Sequence, residues 1–345
     1  MRTLVIASMG EAAGKTAFAT ALGARWQGDG VHVAYLKLRF SPLAPGAVVD
    51  LDAEFVPKVL TSVAGSARSS GVALLSAQAG DQKTLREQVS RAAGPLPDDA
   101  LLILEPEGHL ANTITKEPLL ELIAALEAQV LLVVGYHQAM EPGPITEVAG
   151  PMGPRLVGVV LNRVPASAIP EVREEVTDEL ARAGVSVLGI IPETRLLYGF
   201  TVGELADHLQ AEYLCLPEKR EPLIENVMLG GNPPDPAFVY FTPKPNKAVI
   251  CRSDRPDIQL SVLDTDTRCM VFTGEGPIQT SVLYRAEDLG VPVLRVSTDT
   301  ISTVQNLTGL VEGQRFHQQE KLPVLQSLLE QHLDFEKLGA SLGLS

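Results

Sequence analysis

The chain has 345 residues, with 28 Lys and Arg against 42 Asp and Glu, for a formal net charge of −14. Hydrophobic residues make up 45% and charged residues 20%, which excludes a disordered chain. So negative a surface disfavours a diffuse grip on phosphate backbones, and with it general nucleic-acid binding.

In chain order, the runs Thr3–Ala7, Val31–Leu36, Val72–Ser76, Ala100–Leu104, Val130–Val134, Val157–Leu161 and Ser186–Ile191 predict strands. Several are nearly continuous Val, Leu and Ile, as in strands covered on both faces. Amphipathic segments over Lys15–Gln27, Glu117–Glu127 and Pro170–Ala183 predict helices between them. This alternation predicts an α/β fold with a doubly wound parallel sheet. The charged, proline-flanked stretch Cys215–Pro222 predicts a linker, dividing a domain over 1–214 from a smaller α/β domain over 223–334. In the second domain, Phe238–Phe241, Ala248–Cys251, Met270–Thr273 and Pro292–Val296 predict strands. Ile258–Leu263, Gln279–Leu289, Val304–Val311 and Leu322–Leu333 predict helices, and residues 335–345 a tail, frayed over Gly339–Ser345. Cys215, Cys251 and Cys269 lack CxxC spacing, so neither a disulfide framework nor a zinc knuckle is expected. With too short an apolar N-terminal run for a signal peptide and no stretch of ~20 apolar residues, a soluble, cytoplasmic protein without membrane partners is expected.

The most informative motif is Ser8-Met9-Gly10-Glu11-Ala12-Ala13-Gly14-Lys15-Thr16-Ala17, which follows the first predicted strand and opens the first helix. In that context, residues Gly10 to Ala17 predict a phosphate-binding loop. Successive N–H groups form an anion nest, and the helix N-terminus adds roughly half a positive charge. Gly14 allows close backbone approach, Lys15 reaches the β- and γ-phosphates, and Thr16 offers its hydroxyl to Mg²⁺. Met9 stands where the usual first glycine would be, with Gly10 one step later. Lys37, at the C-terminal end of a strand, is either a second catalytic cation facing the ligand crevice or a surface lysine. Asp50, Asp52 and Glu54 read either as helix-capping acids or as metal-side carboxylates, with Asp52 the favoured metal residue.

Beyond the loop, Val33-Ala34-Tyr35-Leu36-Lys37, the Asp50–Glu54 segment, Val157–Val164 with Asn162, and Val187-Leu188-Gly189-Ile190-Ile191-Pro192-Glu193 resemble the dethiobiotin synthetase family. The resemblance is closer to the synthetase-like N-terminal domain of some bacterial phosphotransacetylases. It implies ATP and Mg²⁺ as cofactors, Lys15 and Lys37 assisting phosphoryl transfer, and Asn162 and Pro192 at the nucleotide. It also implies a Mg²⁺-facing carboxylate, either Glu105 or Glu107, and a homodimer. His109-Leu110 stands where the family carries a second glycine pair of its substrate loop.

From about Leu223 to Leu333 the chain resembles the DRTGG domain, through Asp254-Arg255, Phe272-Thr273-Gly274 and Asp299-Thr300. Asp254 and Arg255 read either as a helix cap with a solvated cation or, with Thr273, Gly274 and Asp299, as a small anion or nucleotide site. The chain ends before a transacetylase catalytic domain, so acetyl transfer is not expected. Two functions then compete. One is a nucleotide-dependent regulatory or accessory protein of acetyl-phosphate metabolism, with a small-molecule or metabolic-enzyme partner. The other is an ATP-dependent ligase acting on a carboxylate or carbamate substrate.

Overall fold

The computed structural model describes residues 2–40, 55–60, 70–74, 82–111, 113–138, 140–231, 237–312 and 316–344. The chain divides into two units: 1–193 together with 316–345, and 194–315.

The first unit contains β1 (Arg2–Ser8), α1 (Lys15–Gly28), β2 (Val33–Arg39), α2 (55–60), β3 (Ser70–Leu74), α3 (Gln82–Ala93) and β4 (Leu101–Pro106). It continues with α4 (Thr113–Leu126), β5 (Gln129–Gly135), α5 (Pro142–Ala149), β6 (Leu156–Val164), α6 (Ile169–Glu171), α7 (Thr177–Arg182) and β7 (Val187–Pro192). The seven strands form one parallel sheet in the order β3-β2-β4-β1-β5-β6-β7. β1, β4, β5 and β6 are almost wholly buried, which is why their sequences read as apolar runs rather than alternations. From β1 the order runs outward on both sides, so a crevice opens beyond the carboxyl end of β1. The phosphate-binding loop leaves the sheet there.

The second unit contains β8 (Phe200–Thr201), α8 (Val202–Leu209), β9 (Glu212–Cys215), β10 (Leu223–Ile224), β11 (Asn226–Gly230), α9 (Ala237–Phe241), β12 (Lys247–Arg252) and α10 (Pro256–Leu263). It closes with β13 (Thr267–Thr273), α11 (Thr280–Leu289), β14 (Val293–Arg295) and α12 (Thr300–Glu312). Its five-stranded sheet runs β11-β12-β13-β14-β9, with only β9 antiparallel. Phe241, Ile258, Val262, Val282 and Ala286 build the core on one face. Val202, Leu205 and Leu307 build it on the other. No helix among the described residues is long and apolar enough to cross a membrane.

Three sequence expectations are corrected. The stretch Cys215–Pro222 is not the linker, because the units part between Glu193 and Thr194. Cys215 ends a sheet strand, and the turn after it is fastened: Val202 N–H donates to Pro222 O and Gly203 N–H to Arg220 O. A fixed surface turn and a linker share the same charged, proline-rich composition, so composition could not separate them. Second, Leu322–Leu333 and the expected frayed tail return to the first unit as α13 (Lys321–His332) and α14 (Phe335–Leu342). Asp334 accepts Lys337 N–H as the α14 cap and donates its own N–H to Leu188 O at 2.8 Å. The close approach needs Gly189, where a Cβ would lie 2.5 Å from His332 O. Third, residues 238–241 fall in helix α9 rather than a strand, with Phe241 turned fully into the core while Val239 and Tyr240 stay exposed.

Candidate functional site

The loop between β1 and α1 takes a shape that residue type explains. Gly14 has φ +107°, and a Cβ there would sit 2.6 Å from Asn162 Nδ2, so both torsion and space call for glycine. Ala12 is also at positive φ, 50°. Ser8 Oγ donates to Gly10 O at 2.8 Å, and Met9 packs against the core while its N–H donates to Val133 O. A Cβ on Gly10 would meet nothing within 4 Å, and neither Met9 nor Gly10 has positive φ, so neither position demands glycine. Glu11 and Ala12 are exposed, Ala13 is buried, and Ala17 is half-buried in the first turn of α1. No acidic side chain occupies that first turn, which leaves the helix N-terminus electropositive.

The sequence left open which carboxylate faces this loop, and the geometry distinguishes the two. Thr16 Oγ1 donates to Glu105 Oε1 at 2.6 Å, and Tyr35 Oη donates to Glu105 Oε2 at 2.8 Å. Glu105 is buried at the end of β4, level in register with Lys37 on β2. Burial pushes its carboxyl above the ordinary value, opposed first by Lys37, then by the Thr16 hydroxyl, Lys15 and Tyr35. Glu107 instead lies half-exposed, 3.6 Å from Arg39 Nε, with its N–H on Leu38 O. Lys15 Nζ donates to Ser8 Oγ at 3.1 Å and to Gly108 O at 2.6 Å. Leu110 N–H donates to Ser8 O at 2.8 Å, so the turn after β4 is stapled to the end of β1.

The remaining first-unit residues are placed less centrally. Asn162 Nδ2 donates to Ala13 O at 2.8 Å, so its amide braces the loop itself. Pro192 ends β7 and is separated from β1 by β5 and β6. Asp52, with Asp50 and Glu54, lies outside the described residues.

In the second unit, Thr273 ends β13, and Asp254, Gly274 and Asp299 follow the carboxyl ends of the adjacent parallel strands β12, β13 and β14. Ser253 N–H donates to Thr273 O, and Thr273 and Thr300 share a hydroxyl hydrogen bond of 2.7 Å. Asp254 is not a helix cap: it is gripped by Arg252, which also holds its carboxyl below the ordinary range, while Arg255 pairs with Asp257. The cap is Asp299, which accepts N–H groups from Ile301 and Ser302 at the start of α12.

Residues 2–199, more than half of the chain, match the AAA domain. The chain belongs to that family. Residues 204–310 match the DRTGG domain, so the second unit carries a domain of its own type. A phosphate acetyltransferase of Pseudomonas aeruginosa is 24% identical over an alignment 381 positions long, which covers 99% of this chain and 52% of that protein. The chain thus spans about half the length of this curated relative. Among solved structures, the MinC:MinD cell division complex of Aquifex aeolicus matches at 18% identity and a TM-score of 0.37, covering 57% of this chain and 83% of that one. The CBS and DRTGG domains of Clostridium perfringens pyrophosphatase match at 15% identity and a TM-score of 0.28, over 42% and 56% of the two chains. The family match, with the loop between β1 and α1 on a parallel sheet, makes the chain a P-loop nucleotide-binding protein of the α/β class.

One member of the site escaped sequence reasoning, Tyr35, whose hydroxyl donates to Glu105. It sits on β2 at two-residue spacing from Lys37, so the strand period places both on one face. Reading that alternation along the strand would have found it.

Proposed function

We propose that this chain binds ATP with Mg²⁺ at the P-loop and acts as a nucleotide-dependent regulatory or accessory protein of acetyl-phosphate metabolism. The observation that carries the reading is the Thr16 hydroxyl held at 2.6 Å on the buried Glu105 carboxylate, with Lys37 in register beside it. A hydroxyl and a carboxylate are the hard oxygen donors that suit Mg²⁺, so Thr16 and Glu105 would hold the ion, and Asp52 would join them. An ion held there would supply charge neutralisation to a bound phosphate. The N–H groups of Gly10 to Gly14 would cradle phosphate, Lys15 would exchange Gly108 O for a phosphate oxygen, and Lys37 would offset charge at the γ-position. Asn162 would fix the loop rather than read the base.

The stapled turn Glu107–Leu110 favours regulation over synthesis. It carries Lys15 and Ser8 contacts and has no glycine-rich loop in which to seat a second substrate. The match to part of a phosphate acetyltransferase supports acetyl-phosphate metabolism as the setting. The cluster around Thr273, Gly274 and Asp299 would then take a small effector. A second reading, an ATP-dependent ligase of the dethiobiotin synthetase type, is favoured by Lys37, buried beside Glu105 where a phosphoryl group would pass to a carboxylate.

One experiment separates them. ATP affinity and hydrolysis are measured for wild type, Lys15→Ala, Lys37→Ala and Glu105→Gln, with and without diaminopelargonate and bicarbonate. Tight binding without stimulated turnover supports the regulator. Substrate-stimulated turnover that disappears in Lys37→Ala supports the ligase, and absence of binding in wild type overturns both.

A further inference from the structure

Every large hydrophobic side chain that is exposed among the described residues lies in the second unit. Five of them, Val227, Leu229, Val239, Tyr240 and Leu260, sit on β11 or on the two helices that follow it. Among the described residues, β11 is the end strand of its sheet and pairs with β12 on one side only. Its sequence, Asn226-Val227-Met228-Leu229-Gly230, contains no charge and no proline, so it lacks the devices that blunt an open edge. The register sets Val227 against Ala248 and Leu229 against Ile250, on the face roofed by α8 and α12. The roof stops short of β11, where Val227 is 38% and Leu229 43% exposed. Met228 turns to the opposite face and packs into that core.

We propose that β11 pairs antiparallel with β11 of a second copy of this chain, about a two-fold axis through Met228, merging two five-stranded sheets. Under that axis Asn226 faces the partner's Gly230, and Val227 faces the partner's Leu229, so an apolar cross-strand pair forms twice. Charge selects the occupant. The chain carries −14, so two copies repel over most of their surface, whereas this seam is uncharged. The axis also sets Glu225 opposite the partner's Gly231 rather than against another carboxylate. A basic partner would find no counter-charge in the strand, while a second copy presents a matching neutral, apolar strip.

The test is sedimentation velocity on the full chain across a dilution series, for wild type, Val227→Lys and Leu229→Lys. Far-UV circular dichroism and ATP binding serve as folding controls. A concentration-dependent wild-type dimer is expected, with each Lys variant weakening it on the order of 100-fold, because symmetry enters every substitution twice. A wild type that stays monomeric throughout overturns the proposal, as does a dimer that both Lys variants leave unchanged. The doubly substituted Val227→Cys, Leu229→Cys protein keeps the test open if a Lys variant fails to fold. Mild oxidation should cross-link it into covalent dimers, since Cys215, Cys251 and Cys269 are buried and do not compete. A dimer that persists without such a cross-link overturns the antiparallel register.

Discussion

The two units are built from the same parts, parallel strands with helices over both faces, and they finish their surfaces differently. The first gathers a cluster of polar groups at the carboxyl end of β1, β2 and β4, around Thr16, Tyr35, Lys37 and Glu105. None of its described large hydrophobic side chains is exposed. The second has a complete two-faced core, yet leaves apolar side chains in solvent and a neutral strand at its edge. A closed, site-bearing unit and an open, contact-bearing one can thus share an architecture. What differs is where the sequence places its polar and apolar surplus.

The comparison can be tested by substitutions, taken from the largest expected effect downward. Phe18→Ala in the first unit and Phe272→Ala in the second each remove a fully buried ring, and each should cost about 3–5 kcal/mol. If the units are separate cores, calorimetry should show each variant lowering the transition of its own unit only. A single merged shift would break the comparison.

Next in size, Lys15→Ala removes a charged hydrogen bond of the kind worth about 1.5–3 kcal/mol, so ATP affinity should fall about 10- to 100-fold in a binding titration. Gly14→Ala should act comparably. Its φ of +107° and the 2.6 Å approach of Asn162 demand a strained loop, at about 1–3 kcal/mol. Both variants should leave the second unit's unfolding unchanged. Smaller again is Thr201→Ala, which breaks the reciprocal capping box with Glu204 at the start of α8 and should destabilise the second unit by about 1 kcal/mol in urea denaturation.

The smallest effect is one of slope. Glu105 has a raised carboxyl in the folded state, so the native protein holds that proton after the unfolded chain has lost it. The contribution of this group to stability is therefore present at low pH and is lost as pH rises from the ordinary carboxylate range through its raised value. Glu105→Gln should flatten that part of the stability–pH curve for the first unit and leave the second unit's curve as it was.

Much of the site was legible because its signals are local. Gly14-Lys15-Thr16 between a strand and a helix names the loop, and Lys37 and Glu105 each stand at the end of an apolar run. Choosing Glu105 over Glu107 needed register: both lie on β4 or just past it, but only Glu105 sits level with Lys37 and within reach of Thr16. Asn162 shows the limit from the other side, since its bond to Ala13 O joins residues far apart in the chain.

Local periodicity and residue chemistry, carried by the sequence alone, determined the α/β class, the parallel sheet behind the phosphate loop and a second domain of the same class. Tertiary structure alone decided that α13 and α14 belong to the first unit, that the stretch after Cys215 is a fastened turn, and that β11 is an end strand among the described residues. The reason is physical: a helix or strand pattern reports which side of an element is apolar, but not which surface covers it. That depends on long-range closures such as Asp334 N–H on Leu188 O, which no window of neighbouring residues contains. The −14 charge is set by composition, and the fold decides where a neutral strip interrupts it.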